Sequence, residues 1–276
     1  MSLLGNVLIQ LSENGSLLHF SPANGYPALA YRSMLEPFKK SNQVIASNHR
    51  PLWQPEVAPE TVTSWEVFAE DIINTAENFS SPLTSIGHSM GASALLIAAA
   101  RRPELFQSLI LIEPVLVSRT AALILGVFGR LFPNKIPLVR KTLARVDRWP
   151  SKQAVFDHFR PKYVFENIDD KELWDYVNHG VVESADGSCK LAFSKAWEAR
   201  CYTIVYDLWP IIAQVKVPIL VVRGENSNTL SSSMWQKLKK LSPQFVCKEI
   251  AGAGHLLPFE RPETMVSEIQ NWLDNH

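Results

Sequence analysis

The sequence predicts an α/β fold: a mostly parallel central sheet with helices on both faces and an inserted helical cap. Three observations predict it. Strand-like and helix-like segments alternate through residues 1–115 and again through residues 217–276, whereas residues 116–216 interrupt the alternation with segments of helical periodicity. A Gly-x-Ser-x-Gly sequence at residues 87–91 joins a short apolar run to a helix-forming segment. We therefore assign residues 1–115 and 217–276 to a core domain and residues 116–216 to a cap.

The predicted elements follow from apolar runs bounded by turn residues. Residues 7–11 and 16–20 are apolar runs joined by Glu13-Asn14-Gly15, a turn signal that predicts an opening β-hairpin. Later strands are predicted at residues 44–47, 83–87, 108–112, 219–223 and 245–250, and helices at residues 31–40, 65–79, 92–101, 234–241 and 264–273. Alternation of this kind predicts a parallel sheet covered on both faces.

Composition limits the partners. The 276 residues are 46% hydrophobic, which is enough for one large core with an inserted subdomain. The 27 basic and 27 acidic residues give a formal net charge of zero, so no overall field attracts nucleic acid. We expect a small-molecule partner and no nucleic acid; the oligomeric state does not follow from the sequence.

Cysteine usage and apolar runs predict the compartment. The three cysteines show no metal-ligand spacing and suit free thiols in a reducing compartment. The first seven residues lack a basic segment followed by an apolar core, and no apolar run reaches 18 residues. The sequence therefore predicts a cytoplasmic protein with no stable membrane insertion.

Ser89 is the candidate nucleophile. It lies at the centre of the Gly-x-Ser-x-Gly sequence, flanked by Gly87 and Gly91. A strand-to-helix turn tight enough to expose a serine hydroxyl needs small residues two positions before and after, because larger side chains would strike the neighbouring backbone. The following segment, rich in alanine and leucine, favours a helix packed closely on a sheet.

A serine hydroxyl is a poor nucleophile without a base, and His255 is the candidate. It lies in a glycine-rich loop after the last predicted strand, so it reaches the same edge of a parallel sheet as Ser89. Two backbone N–H groups are predicted to hold the oxyanion. One belongs to Met90, directly after the nucleophile, and the other to Tyr26 in the turn Asn24-Gly25-Tyr26-Pro27.

Together these segments resemble the α/β-hydrolase family in its cap-bearing form, over essentially the whole chain. The resemblance rests on Asn24-Gly25-Tyr26-Pro27, which is similar to the family's His-Gly-Phe-Pro oxyanion turn, on residues 87–91, and on Gly254-His255 followed by residues 258–263. Asn24 replaces the usual histidine. The resemblance implies a serine hydrolase that needs no cofactor and no metal.

The acid of the triad is the second departure from the family pattern. The resemblance predicts aspartate in the loop after residues 219–223, where this sequence has Asn228. Glu113, after the strand predicted at residues 108–112, occupies a position from which some cap-bearing relatives supply their acid. We favour Glu113 as the acid, with Asn228 as a neutral orienter and Glu225 as alternatives. The non-catalytic interpretation is that the Glu113 carboxylate only accepts hydrogen bonds from a loop backbone.

The cap carries two unusual features. Residues 119–152 contain eight basic residues and one acidic residue, Asp147, which is typical of a solvated helix face but would also steer an anionic substrate, such as an acyl thioester of a phosphorylated carrier. The apolar run at residues 121–128 is too short to span a bilayer, and we expect it to be buried against the core domain.

The predicted function is hydrolysis of a carboxylic ester of a small or medium acyl substrate through an acyl-enzyme. Two alternatives use the same residues: cleavage of an acyl thioester, and hydrolysis of a carbon–carbon bond in a dienoate-type ketone. A third is a binding protein on an inactive hydrolase scaffold, which the asparagine at position 228 motivates.

Overall fold

The computed structural model describes residues 7–53, 57–241 and 245–276. Residues 1–6, which belong to the opening segment used to predict the compartment, lie outside these ranges. The strands are β1 (Leu8–Gln10), β2 (Ser16–Ser21), β3 (Asn42–Ser47), β4 (Leu83–His88), β5 (Phe106–Ile112), β6 (Arg148–Trp149), β7 (Val181–Glu183), β8 (Cys189–Leu191), β9 (Ile219–Gly224) and β10 (Phe245–Ile250). A seven-stranded sheet has the order β1-β3-β2-β4-β5-β9-β10, and a smaller sheet has the order β6-β8-β7.

The helices follow the predicted alternation. They are α1 (Arg32–Leu35), α2 (Glu66–Ala76), α3 (Met90–Arg101), α4 (Arg119–Leu131), α5 (Pro137–Ala144), α6 (Lys152–Phe159), α7 (Asp170–Gly180), α8 (Lys195–Thr203), α9 (Trp209–Ile212), α10 (Ser232–Leu241), α11 (Leu257–Glu260) and α12 (Pro262–Leu273). The helix predicted at residues 31–40 is a short α-helix flanked by 3₁₀ turns at Ala28–Tyr31 and Glu36–Lys40.

The large sheet is parallel except for β1 and is covered on both faces, as predicted. Side chains alternate along β5, so that Ile110 and Ile112 join one hydrophobic cluster, with α12, while Leu109 and Leu111 join the other, with α2 and α3. Each cluster covers one face of the sheet. The carboxyl ends of β4, β5 and β9 therefore meet at one edge, which is where the site lies.

The predicted opening hairpin is wrong. β1 pairs antiparallel with β3, with Leu8 opposite Ser47, whereas β2 pairs in parallel with β3 and β4. The predicted turn exists, since Gly15 has a φ of 95°. It carries the chain past β3 instead of back along β1. Leu18 and Phe20 of β2 are fully buried, so β2 is a central strand and needs a neighbour on each side.

Residues 116–216 contain α4 to α9 and, unexpectedly, the small antiparallel sheet. Its strands are two or three residues long, which is too short for a period-2 pattern to be recognised. The expected burial of the apolar run is also wrong: Leu123, Ile124 and Val127 are 67%, 56% and 56% exposed. The helix packs instead through Ala122 and Gly129, which are buried. The assignment of residues 116–216 as a separate cap stays a prediction.

In the described ranges, every helix is too short or too polar to span a lipid bilayer.

Candidate active site

Ser89 occupies a strained turn between β4 and α3. Its φ of 54° and ψ of −116° are rare for a residue with a side chain and typically cost about 1–3 kcal/mol. The Ser89 N–H donates to Ile112 O over 3.0 Å, which ties the turn to the end of β5. The residue is 7% exposed, at the carboxyl edge of the sheet.

The two flanking glycines allow this turn to form. A Cβ on Gly87 would lie 2.6 Å from Ala92 N, and a Cβ on Gly91 would lie 2.3 Å from Ser21 O. Both distances are too short for any side chain. The requirement for small residues on either side of Ser89 is therefore a steric property of this structure.

His255 reaches Ser89 from the loop after β10. Its Nε2 lies 3.1 Å from Ser89 Oγ, which is within hydrogen-bonding distance. A second contact fixes the loop, because the Gly254 N–H donates to Glu260 Oε2 over 2.6 Å. His255 is thus held at the predicted edge and in contact with the predicted nucleophile.

Glu113 is the carboxylate that contacts His255. Its Oε2 lies 3.1 Å from His255 Nδ1. Gly224 N–H donates to Oε1 over 2.7 Å, and the Ser227 hydroxyl donates to Oε2. Glu113 is fully buried and has a φ of 51°, so both its desolvation and its backbone conformation need compensation. These contacts supply partners for both carboxylate oxygens.

The two alternative acid positions lie apart from the histidine. Asn228 is exposed, and its Oδ1 accepts a hydrogen bond from Thr229 Oγ1 over 3.3 Å. Glu225 is also exposed and accepts the N–H of Gly252 over 2.9 Å. The structure brings Ser89, His255 and Glu113 together and leaves Asn228 and Glu225 outside this group.

Sequence reasoning missed Ser227. Its buried hydroxyl donates to Glu113 and accepts the N–H groups of Thr229 and Leu230 over 3.2 and 3.0 Å. The residue therefore folds the loop after β9 around the carboxylate from β5. The only available signal was a small hydroxyl residue directly before Asn228, in the loop where the family pattern predicts the acid.

The two predicted oxyanion donors differ in their surroundings. Met90 is the first residue of α3, where N–H groups have no acceptor within the helix and the helix dipole favours negative charge. The Tyr26 N–H donates to Ala23 O over 3.2 Å and closes a turn at Gly25, whose φ is 85°. An oxyanion at Tyr26 would therefore share or replace this long bond.

A buried hydrogen-bond chain links the histidine loop to this turn. His88 Nε2 lies 2.9 Å from His255 O, a carbonyl that can only accept, so Nε2 carries the proton and Nδ1 accepts from the Tyr31 hydroxyl over 2.7 Å. Tyr31 in turn accepts the Ala23 N–H over 3.1 Å. Burial lowers the pKa of His88 well below its usual value, and the nearby His255 lowers it further. His88 is therefore a neutral link.

Helix α8 packs on the turn Asn24-Gly25-Tyr26-Pro27. Glu198 Oε2 lies 3.0 Å from where a Cβ on Gly25 would be, and Asn24 Nδ2 donates to Glu198 O over 3.2 Å. Glu198 is paired with Arg145 and accepts from the Tyr202 hydroxyl over 3.2 Å. Burial raises the pKa of Glu198, and the Arg145 charge opposes this rise. Helix α8, which lies within residues 116–216, is therefore in direct contact with the turn that contains Tyr26.

Two cavities lie away from Ser89. One, of about 490 Å³, is lined by residues that include Ala100, Pro103 and Leu241, and one of about 190 Å³ lies beside Gly126 and Thr203. Ser89 lines neither of them. The hydrogen-bond geometry identifies the candidate site.

Comparison with known proteins finds matches over most of the chain. A model of the alpha/beta hydrolase family matches residues 25–268. The chain is 27% identical over 222 residues to 2-(acetamidomethylene)succinate hydrolase of Mesorhizobium japonicum, covering 78% of this chain and 73% of that protein. It is 23% identical over 243 residues to monoglyceride lipase of Mus musculus, covering 84% and 73%.

Solved structures show the same fold. The crystal structure of E-2-(acetamidomethylene)succinate hydrolase superposes with a TM-score of 0.80 at 23% identity, over 99% of this chain and 97% of that one. The fold predicted from the sequence is thereby confirmed, and the relatives identify the chain as a hydrolase. Since the family model spans most of its length, the chain belongs to the alpha/beta hydrolase family.

Proposed function

We propose that this chain is a serine hydrolase of carboxylic esters in which Ser89, His255 and Glu113 form the catalytic triad. Two contacts carry the proposal. Ser89 Oγ lies 3.1 Å from His255 Nε2, and His255 Nδ1 lies 3.1 Å from Glu113 Oε2. The Glu113 carboxylate fixes the tautomer with the proton on Nδ1, which leaves Nε2 free to accept a proton.

The reaction proceeds through an acyl-enzyme. Ser89 Oγ bonds to the ester carbonyl carbon while its proton passes to His255 Nε2, and the carbonyl oxygen takes up the negative charge. The tetrahedral intermediate then expels the alkoxide, which receives the proton from Nε2 and leaves as the alcohol. Water attacks the acyl-enzyme by the same route, giving the carboxylic acid and restoring Ser89.

The Met90 and Tyr26 N–H groups would hold the oxyanion. Loss of one such donor typically costs about 2.7–4 kcal/mol of transition-state stabilisation. Tyr26 is supported by its place in the turn at Gly25, and its present bond to Ala23 O is long enough to be exchanged for the stronger acceptor. Met90 is supported by its position at the start of α3.

An acyl substrate of small or medium size suits a site closed by α8. Tyr26 packs against Tyr176 and Phe259, with ring centroids 5.1 and 5.3 Å apart, which gives the oxyanion turn an apolar flank. The relative named monoglyceride lipase supports ester cleavage. Acyl thioester cleavage is the second candidate, favoured by the exposed cations Arg140 and Lys141 of the insertion.

The setting we propose is the cytoplasm. It is supported by Cys189, Cys201 and Cys247, which are all free thiols. The binding-protein alternative loses its motive if Glu113 is the acid, because the asparagine at position 228 then leaves the triad intact.

A panel of acyl esters tests this function. Hydrolysis of p-nitrophenyl acetate, butyrate, octanoate and laurate is measured beside acetyl- and octanoyl-CoA, with Ser89→Ala as the matched variant. We expect a preference for oxygen esters and loss of at least 10³-fold in kcat/KM on Ser89→Ala. A fluorophosphonate that fails to label Ser89 in the folded protein would overturn the enzyme assignment, and a preference for the CoA thioesters would overturn the ester assignment.

A further inference from the structure

Helix α4 presents its large apolar side chains to solvent. Leu123, Ile124, Val127, Phe128 and Leu131, here called the apolar stripe, are 67%, 56%, 56%, 43% and 65% exposed. Their spacing places them along one side of the helix. The side facing the protein carries small residues instead. This is the reverse of an ordinary surface helix, so the apolar stripe is a surface feature and not part of a core.

The apolar surface continues beyond α4. Phe132 is 51% exposed and contacts Phe128 with ring centroids 5.2 Å apart, and Leu138 and Leu143 on α5 are 49% and 39% exposed. Helices α4 and α5 both pack on α8. Gly129 of α4 lies against Thr203 of α8, and Val139 of α5 is buried. Their exposed faces therefore point away from α8 and away from the site it covers.

The same two helices, and the 3₁₀ turn Pro133–Lys135 between them, carry positive charge. Arg119, Lys135, Arg140 and Lys141 are exposed, and in the described part of the chain none of them forms an ion pair within 4 Å. Asp147, the one acid among residues 119–152, lies 3.4 Å from Lys195. This positive charge also affects a neighbour: burial lowers the pKa of Lys162, and the charges of Arg145 and Lys141 lower it further.

We propose that the apolar stripe and the cations of α4 and α5 bind the surface of an anionic lipid bilayer. An interfacial helix buries an apolar side at the boundary of the acyl chains while basic residues contact the lipid phosphates. This surface supplies both components. A second copy of the chain fits less well, since a two-fold contact would place the cations of each copy against those of the other.

The binding we propose is peripheral, and it does not depend on the identity of the substrate. Helix α4 has 13 residues, so its length suits a helix lying in the bilayer surface and not one crossing it. Because α8 joins this surface to the oxyanion turn, bilayer binding would bring the covered site to a source of apolar esters.

Vesicle co-sedimentation of the full chain tests the proposal. The probes are phosphatidylcholine vesicles, alone or with about one third phosphatidylglycerol, at low and at physiological salt. We expect binding to the anionic vesicles that is several-fold stronger than to phosphatidylcholine and weaker in higher salt. Equal binding to both vesicles, or none to either, would overturn it.

Two variants localise the binding. Arg140→Gln with Lys141→Gln is expected to weaken binding by roughly 25-fold, from about fivefold for each charge. Val127→Asp with Leu131→Asp is expected to abolish it. The matched controls are Lys239→Gln with Lys240→Gln on α10 and Val182→Asp on β7, all at exposed positions, which should bind like the parent.

The variant with Arg140→Gln and Lys141→Gln keeps the outcome decisive even if the aspartate variant fails to fold, because it changes only exposed side chains. Its unchanged thermal unfolding is the check on folding. Parent-like vesicle binding by this variant would overturn the proposal. So would a dimer in size-exclusion chromatography that is lost on Val127→Asp, since the surface would then join two copies of the chain.

Discussion

Glu113 Oε2 lies 3.1 Å from His255 Nδ1, although Glu113 follows β5 and not the strand that precedes the expected acid loop. The two strands are neighbours: β5 pairs with β9, and the Glu113 N–H donates to Val222 O over 2.8 Å. A carboxylate at the end of β5 therefore reaches the loop after β9, where Gly224 and Ser227 bind it. In this geometry an asparagine at position 228 leaves His255 with a carboxylate partner.

Ser227→Ala tests the support of this carboxylate. The change removes a hydrogen bond to a buried charge, so we expect the free energy of unfolding to fall by about 1.5–3 kcal/mol. We also expect kcat/KM for the best ester to fall about tenfold, because the carboxylate loses a fixed position. Urea unfolding and steady-state kinetics measure the two effects. Ser233→Ala, at an exposed position on α10, is the control, and parent-like values for Ser227→Ala would contradict this role.

Tyr31→Phe tests the hydrogen-bond chain through His88. The variant keeps the ring, which packs on Phe259 with centroids 4.6 Å apart, but leaves the buried His88 Nδ1 and the Ala23 N–H without the hydroxyl. We expect about 1–3 kcal/mol less stability and a lower kcat with little change in KM. Tyr163→Phe is the matched control because Tyr163 is 87% exposed. A parent-like kcat would contradict a catalytic contribution of this hydrogen-bond chain.

Gly91→Ala and Gly126→Ala form a matched pair of helix substitutions. A Cβ on Gly91 would collide with Ser21 O, whereas a Cβ on Gly126 meets nothing within 4 Å. We expect Gly91→Ala to destabilise the fold by about 1–3 kcal/mol or more through the displaced backbone, and Gly126→Ala to stabilise it by about 0.5–1 kcal/mol through helix propensity. Thermal unfolding of both variants distinguishes the effects; equal shifts would contradict the steric explanation.

Buried histidines predict loss of stability in mild acid. Burial lowers the pKa of His19 to about 3 and that of His49 to about 4. Unfolded histidine titrates near 6.5, so below this pH the unfolded chain takes up protons that the folded chain rejects. The free energy of unfolding should therefore fall as the pH drops from about 6.5 towards 4, by about 2 kcal/mol for each histidine at pH 5.

Urea unfolding at pH 8, 7, 6 and 5 checks this expectation. Stability should depend only weakly on these two histidines between pH 8 and 7, where the folded state holds them neutral and the unfolded state holds them mostly neutral. His49→Gln should reduce the loss between pH 7 and 5, whatever its effect at pH 7. An equal loss in the variant and the parent would contradict the assignment of this pH dependence to His49.

The sequence predicts the fold and the contacts of Ser89 and His255 because both depend on short local patterns. Tight steric limits define the turn at Ser89. The glycine-rich loop after the last strand must begin at the same edge of the parallel sheet. By contrast, the pairing of β1 with β3 depends on which strand needs two neighbours. The turn at Gly15 does not determine which strands pair with each other.

The support of Glu113 and the exposure of α4 were less predictable for different reasons. Ser227 matters only because two loops from separate strands meet, a contact that no local pattern encodes. The apolar run of α4 has the composition of a buried helix. Its orientation follows from Ala122 and Gly129, the small residues that let α4 pack inward.

The measurement that tests the triad most directly is kcat/KM for Glu113→Gln beside Asn228→Ala, on the ester that the parent hydrolyses best. Glutamine keeps the size of the side chain but leaves the histidine tautomer and the imidazolium unsupported, so we expect a loss of about 10³- to 10⁴-fold. Asn228→Ala should remain within about threefold of the parent, since Asn228 is exposed and bonded to Thr229. The reverse ranking would contradict the assignment of Glu113 as the acid.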